Sequence, residues 1–195
     1  ATADPHEGPR RAALVVLAQS WSDDVTRGLL VERATADPHE DVRGAAVEGL
    51  AQSWSDGVTR GLLVERATAD PHEDVRGAAL RLLAARWSDD VMRGLLVERA
   101  TADPHEEVRL DALRMWAVSG GDECVPVLVG RLGEDSSELV RAGIAWTLAF
   151  GWHSDLEAIA ALSAAVDAEE STQVRQAVNA ALKAVEALRE HFGQE

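Results

Sequence analysis

Residues 34–66 read ATADPHEDVRGAAVEGLAQSWSDGVTRGLLVER, and residues 67–99 read ATADPHEDVRGAALRLLAARWSDDVMRGLLVER. Compared position by position, 26 of the 33 residues are the same. The heptapeptide ATADPHE that opens both also opens at Ala1 and at Ala100, so the period is 33 residues. Self-similarity at that length marks a fold assembled from one supersecondary unit used again and again. Beyond Ala100 the wording changes while the beat persists. Arg10, Arg43, Arg76, Arg109, Arg141 and Arg175 follow one another at intervals of 33, 33, 33, 32 and 34 residues, all but the first preceded by Val. Trp21, Trp54 and Trp87 are one slot copied three times, and Trp152 fills it again in the fifth unit.

Each unit reads as two helices. In Asp37-Pro38-His39-Glu40 the aspartate is expected to cap the longer helix, with Pro in its first turn and Glu closing a capping box. Val42, Ala45, Ala46, Leu50 and Trp54 then keep an apolar stripe at helical spacing as far as the Trp54-Ser55-Asp56 turn. A shorter helix runs through Val58, Leu62 and Leu63 to about Ala67, acidic early and basic late, as the helix dipole prefers. No segment alternates as a strand would. Such a pair cannot bury its own apolar face, so neighbours must stack. The sequence therefore predicts an all-α fold, an α-solenoid of stacked helix pairs with six longer helices and five shorter ones.

Residues 1–195 read as one repeat domain, near-identical over 1–99, divergent over 100–168 and ending in a capping helix within 169–195. That last helix is expected from Ser171 to Phe192, with Lys183, Glu186, Arg189 and Glu190 outward. Gly8-Pro9 is expected to delay the first helix. The first unit opens without its short partner, there is no initiator Met, and Ala1-Thr2-Ala3-Asp4-Pro5 lacks a signal-peptide layout. We therefore expect a piece of a longer, cytoplasmic protein.

The short-helix Leu62-Leu63, followed by Asp70-Pro71-x-x-x-Val75-Arg76-x-x-Ala79-x-x-x-Leu83, resembles the HEAT repeat family in its short bacterial form, across nearly the whole chain. Residues 29–56, LLVERATADPHEDVRGAAVEGLAQSWSD, are similar to HEAT arrays behind the nucleotide-binding module of bacterial NACHT-type (NLR-like) proteins. No G-x-x-x-x-G-K-[ST] occurs here, so the nucleotide-binding module itself is absent from this sequence. The resemblance implies a non-enzymatic protein-recognition scaffold, the C-terminal sensor or interaction region of a larger defence or signalling ATPase. Its partner would be another protein or a missing N-terminal module of the same polypeptide. HEAT-like folds also serve bilin lyases and DNA glycosylases, or act as passive spacers, and those readings stay open.

Composition narrows the choice. Against 34 Asp and Glu stand 19 Lys and Arg, a net charge of −15. A chain so acidic opposes nucleic acid, whose binding rests on Lys and Arg displacing counterions, and anionic membrane surfaces for the same reason. Hydrophobic residues make up 46%, enough for a sizeable core, and no apolar run approaches the length of a membrane span. The single cysteine, Cys124, excludes an internal disulfide and any Cys-only zinc site.

No catalytic constellation emerges, and no cofactor or metal is expected. His6, His39, His72 and His105 recur once per unit, so packed helices place them on the order of 10 Å apart, too far for one zinc ion. They read as solvated first-turn residues, with a pH-sensing row as the alternative. Cys124 follows Gly120-Gly121-Asp122-Glu123, where acids would raise its pKa. The resemblance implies a structural ladder between neighbouring units: Asp37 and Arg43, Asp70 and Arg76, Asp103 and Arg109, Asp135 and Arg141. An anion site at the arginines is the alternative, and the matched acids oppose it.

What varies between copies concentrates on one stripe of the long helix. On a wheel of 100° per residue, Asp41, Gly44, Glu48 and Gln52 lie roughly opposite the apolar face. The later copies place Arg81, Leu110, Arg114 and Val118 there, and the fifth places Trp146 and Phe150. In HEAT arrays that side is concave. Aromatic residues on a solvent-facing helix are typical of an interaction surface, so these six residues form the candidate partner-binding site. Trp116 stands where Leu17, Leu50 and Leu83 stand and is expected in the core.

Overall fold

In the computed structural model, which describes residues 4–192, aspartates set several of the turns between helices. Asp23, Asp56 and Asp155 each cap the helix that follows, accepting the backbone N–H of Thr26 at 2.7 Å, Thr59 at 3.0 Å and Ala158 at 2.8 Å. That interaction satisfies amides that a helix N-terminus leaves unpaired. The helices are α1 (Glu7–Ser20), α2 (Asp24–Ala36), α3 (Glu40–Ser53), α4 (Gly57–Ala69), α5 (Glu73–Ala84) and α6 (Asp90–Ala102). They continue as α7 (Glu106–Ser119), a 3₁₀ turn (Gly121–Cys124), α8 (Val125–Glu134), α9 (Glu138–Gly151), α10 (Leu156–Ala168) and α11 (Thr172–Phe192). Eleven α-helices and no strand occur among the described residues, and the fold is the all-α stack of helix pairs that the period predicts.

The chain divides into two compact units, Ala1–Met92 and Arg93–Glu195. In the first, α3 packs on both α1 and α5, while α2 lies on α3 and α4 lies on α5. Leu14, Leu30, Leu50, Leu63, Leu80 and Leu83 are fully enclosed there. In the second, α9 packs between α7 and α11, with α8 and α10 on the other side. Its core contains Leu113, Leu128, Ile144, Leu148 and Leu162. Each fully buried side chain of this kind contributes roughly 1.5–3 kcal/mol relative to exposure.

Four local readings change. The long helix starts at Glu40, not at Pro38; its N-cap is His39, whose Nδ1 accepts the Asp41 N–H at 3.3 Å. Asp37 sits two residues earlier in extended conformation, which releases its carboxylate for other partners. Gly8-Pro9 does not delay α1, which begins at Glu7, because Pro in a first turn gives up an N–H that has no helical partner anyway. The second helix of each pair is hardly shorter, 13 residues in α4 against 14 in α3. Val58 is 66% exposed on the first turn of α4, and Thr59 is buried in its place. The closing helix runs within one residue of its expected span, burying Val174, Val178, Ala181 and Val185 and exposing Lys183, Glu186, Arg189 and Glu190.

Candidate functional site

Buried arginines recur through the interior of both units. Arg43 donates from Nε and Nη2 to the two carboxylate oxygens of Asp70 at 2.9 and 2.8 Å. Its third nitrogen, Nη1, donates to the carbonyls of Asp37 and Pro38 at 3.0 and 3.2 Å. One guanidinium thus holds its own turn and the aspartate of the next. Arg10 makes the same fork to Asp37, Arg109 to Asp135, and Arg141 to Glu169. Arg76 is buried and donates to the Asp70 carbonyl at 2.9 Å. Asp103 is buried, accepts the His105 N–H at 2.9 Å, and offers its carbonyl to Arg109 at 3.0 Å. Bidentate forks of this kind use a carboxylate's geometry fully, which leaves the paired arginines no lone face for a free anion.

Burial pushes the Asp70 carboxyl up, but hydrogen bonds from Arg43 and the His72 amide, with the Arg43 and Arg66 charges, hold it below the usual carboxylate range. Asp37 and Asp135 are held down in the same way against the same burial. These are charges tied into the interior, not acids poised for proton transfer.

A second, outer ladder escaped the sequence reading. Arg27 on α2 donates to Asp56 at 2.6 Å and lies 5.7 Å from the centre of the Trp54 ring. Arg60 repeats this with Asp89 at 2.7 Å and Trp87 at 5.7 Å. The copied Trp slot is therefore a platform for the arginine of the preceding pair, a cation–π contact on a half-exposed edge. The readable signal was the shared period of Arg27, Arg60, Trp54 and Trp87. In the fifth unit Trp152 is coupled differently: its indole N–H donates to Asp122 at 2.8 Å.

Cys124 is buried, with its Sγ 3.0 Å from the Gly121 carbonyl. Burial first, then the Asp122 charge, raises the thiol to about 11, although its own backbone amide opposes this. The rise matches expectation; its chief cause is burial and not the neighbouring acids. A thiol held so high is a poor nucleophile at neutral pH. Trp116 lies in the core at 6% exposure, and its indole fills the space that a side chain on Gly120 would need. His39 and His72 sit at helix N-caps as half-exposed residues. Among the described residues no cluster of His, Cys, Asp or Glu is arranged to hold a metal ion.

The candidate surface divides. Arg81 is exposed on α5, in the first unit. Leu110 is not on the surface: at 4% exposure it packs against Gly143, where an added Cβ would come within 2.5 Å of its Cδ1. The other copies give no warning of this: Gly44 and Gly77 hold that slot, and a Cβ added at Gly44 would meet nothing within 4 Å, and at Gly77 only the Arg81 side chain of the same helix. The remaining four gather around one groove of about 450 Å³ between α7 and α9. Arg114 and Val118 line it from α7, and Trp146 and Phe150 from α9, with their rings stacked at 5.6 Å and 16°. Val118 is 90% exposed and Phe150 63%, while Trp146 is half-buried.

Residues that the sequence did not place on this surface complete the groove. Gly143, Thr147 and Gly151 recur at four-residue intervals and keep the α9 side low, while Ala117 and Trp152 close it. Trp152 is fixed by its bond to Asp122. Apolar concavities of this size with a few polar groups are the usual form of a recognition site. No helix among the described residues is long and apolar enough to cross a membrane. Set beside known proteins, no curated protein matches the chain. Residues 1–84 and 94–183 match the family described as HEAT repeats. With most of its length matched, the chain belongs to the HEAT repeat family.

Proposed function

We propose that this repeat scaffold is a non-enzymatic protein-recognition module that binds its partner at the α7/α9 groove. The observation that supports this reading is the stacked Trp146–Phe150 pair standing beside exposed Val118 in an apolar groove. Large apolar side chains left in water are costly to keep, and aromatic residues of this type dominate binding energy at protein interfaces. The ladders, by contrast, are internally matched and need no ligand. On the similarity of residues 29–56, the array would be the C-terminal sensor or interaction region of a bacterial NACHT-type ATPase. A G-x-x-x-x-G-K-[ST] loop encoded upstream is the expected sign of that setting, and its absence would remove it.

The groove reading is tested by selecting a displayed library of random twelve-residue peptides on the immobilised chain. Peptides are expected to enrich on the wild-type protein and to lose at least tenfold in binding to a Trp146→Ser, Phe150→Ser double variant. Circular dichroism and thermal melting establish that the variant keeps its fold. Enrichment that is indifferent to the two substitutions, or no enrichment at all, would overturn the reading.

A further inference from the structure

The groove carries a charge signature opposed to that of the chain. Thirty-four acids outnumber nineteen basic residues overall, yet among the described residues no carboxylate lines the groove, and the one charged lining residue is Arg114. Arg114 is exposed and forms no ion pair or hydrogen bond with any described residue, while Arg10, Arg43, Arg109 and Arg141 are all forked to acids. Leu110 against Gly143 sets the register of α7 on α9. Arg114 and Val118 follow one and two turns further along α7, as Thr147 and Gly151 follow Gly143 along α9, and all of them line the groove with Trp146 and Phe150. Two turns make a trough roughly 11 Å long, cationic at one end and apolar at the other.

We infer that the groove takes a peptide segment pairing an apolar anchor with a carboxylate. The anchor lies between Val118 and the Trp146–Phe150 stack, and the Asp or Glu, within four positions of it, forks onto the Arg114 guanidinium. This inference rests on the recognition reading above and gives the partner its chemistry. A planar guanidinium with no partner among the described residues, standing beside apolar surface, is suited to bidentate capture of a carboxylate. The opposite bias is what the whole molecule would impose: a net charge of −15 attracts basic peptides at long range and repels acidic ones. An acidic preference in bound peptides would therefore come from the groove and not from the general field.

The test is the sequence of the selected peptides and their affinity for an Arg114→Glu variant. Wild-type protein is expected to enrich Asp or Glu within four residues of Leu, Phe, Trp or Ile. Arg114→Glu should weaken one such peptide about tenfold in fluorescence anisotropy and shift selection toward Lys and Arg. Because Arg114 is exposed and unpaired, this substitution leaves the melting temperature within a degree or two. Peptides that depend on Trp146 and Phe150 but show no acidic bias, or that bind Arg114→Glu equally well, would overturn this inference and leave the recognition reading intact. A small aromatic carboxylate such as 4-phenylbutyrate that competes at the affinity of the best peptide would also overturn it, reassigning the groove to a small molecule. No Trp146-dependent peptide of any kind would overturn both.

Discussion

At the scale of single residues, the same aspartate does two kinds of work that the sequence pattern merges. Asp56 caps a helix at a half-exposed turn, and Asp70 is enclosed, with its carboxylate spoken for by Arg43, Arg66 and the His72 amide. Removing one member of a buried pair strands the other without water, which costs more than the pair itself contributes. Asp70→Ala is therefore expected to lower stability by about 3–5 kcal/mol, because the Arg43 charge stays buried. Adding Arg43→Ala should recover part of that loss, and Arg27→Ala on the outer ladder should cost much less, since water replaces its partners. Urea denaturation followed by circular dichroism measures all three. If Asp70→Ala unfolds at the wild-type midpoint, the interior ladder is not what ties successive pairs together.

At the scale of helices, the period made most of the architecture legible and misplaced what the period averages over. A repeat of 33 residues states the number and order of helices directly, because every copy votes for the same boundaries. The vote fails where two motifs compete for one residue. Asp-Pro-x-Glu resembles a capping box, yet the carboxylate is drawn into the arginine fork, and His39 takes over the cap. Leu110 failed for a different reason. A helical wheel divides inside from outside around one axis, but α7 is also packed on α9, and Leu110 lies on that side. Gly143 is the matching cue, since a glycine four residues from Thr147 marks where another helix comes close. The groove itself was half-legible: the aromatic pair stood out by type, while its low floor depends on small residues that no propensity argument selects.

At the scale of the whole molecule, the acidic excess sets how the fold responds to acid. Asp56 is held down to about 2 by the Thr59 amide first and then by Arg27, with Asp23 and Asp89 lowered by their own cap and ladder bonds. The interior carboxylates of Asp37, Asp70 and Asp135 and that of Glu169 are lowered as well. A group whose pKa is lower folded than unfolded binds its proton more readily in the unfolded chain. Its contribution is complete above the unfolded value and is lost as pH falls toward the folded one. For Asp56 that window runs from 3.8 down to about 2. Above it the opposing effect is self-repulsion among the −15. The urea midpoint is accordingly expected to hold steady from pH 7 to pH 5, then fall steeply between about pH 4 and pH 2. Asp56→Asn retains a cap oxygen but cannot titrate, so it should begin less stable at pH 7 and lose less on acidification. A variant whose acid limb is as steep as the wild type's would show that the Asp56 cap and its pairing with Arg27 contribute nothing to the linkage.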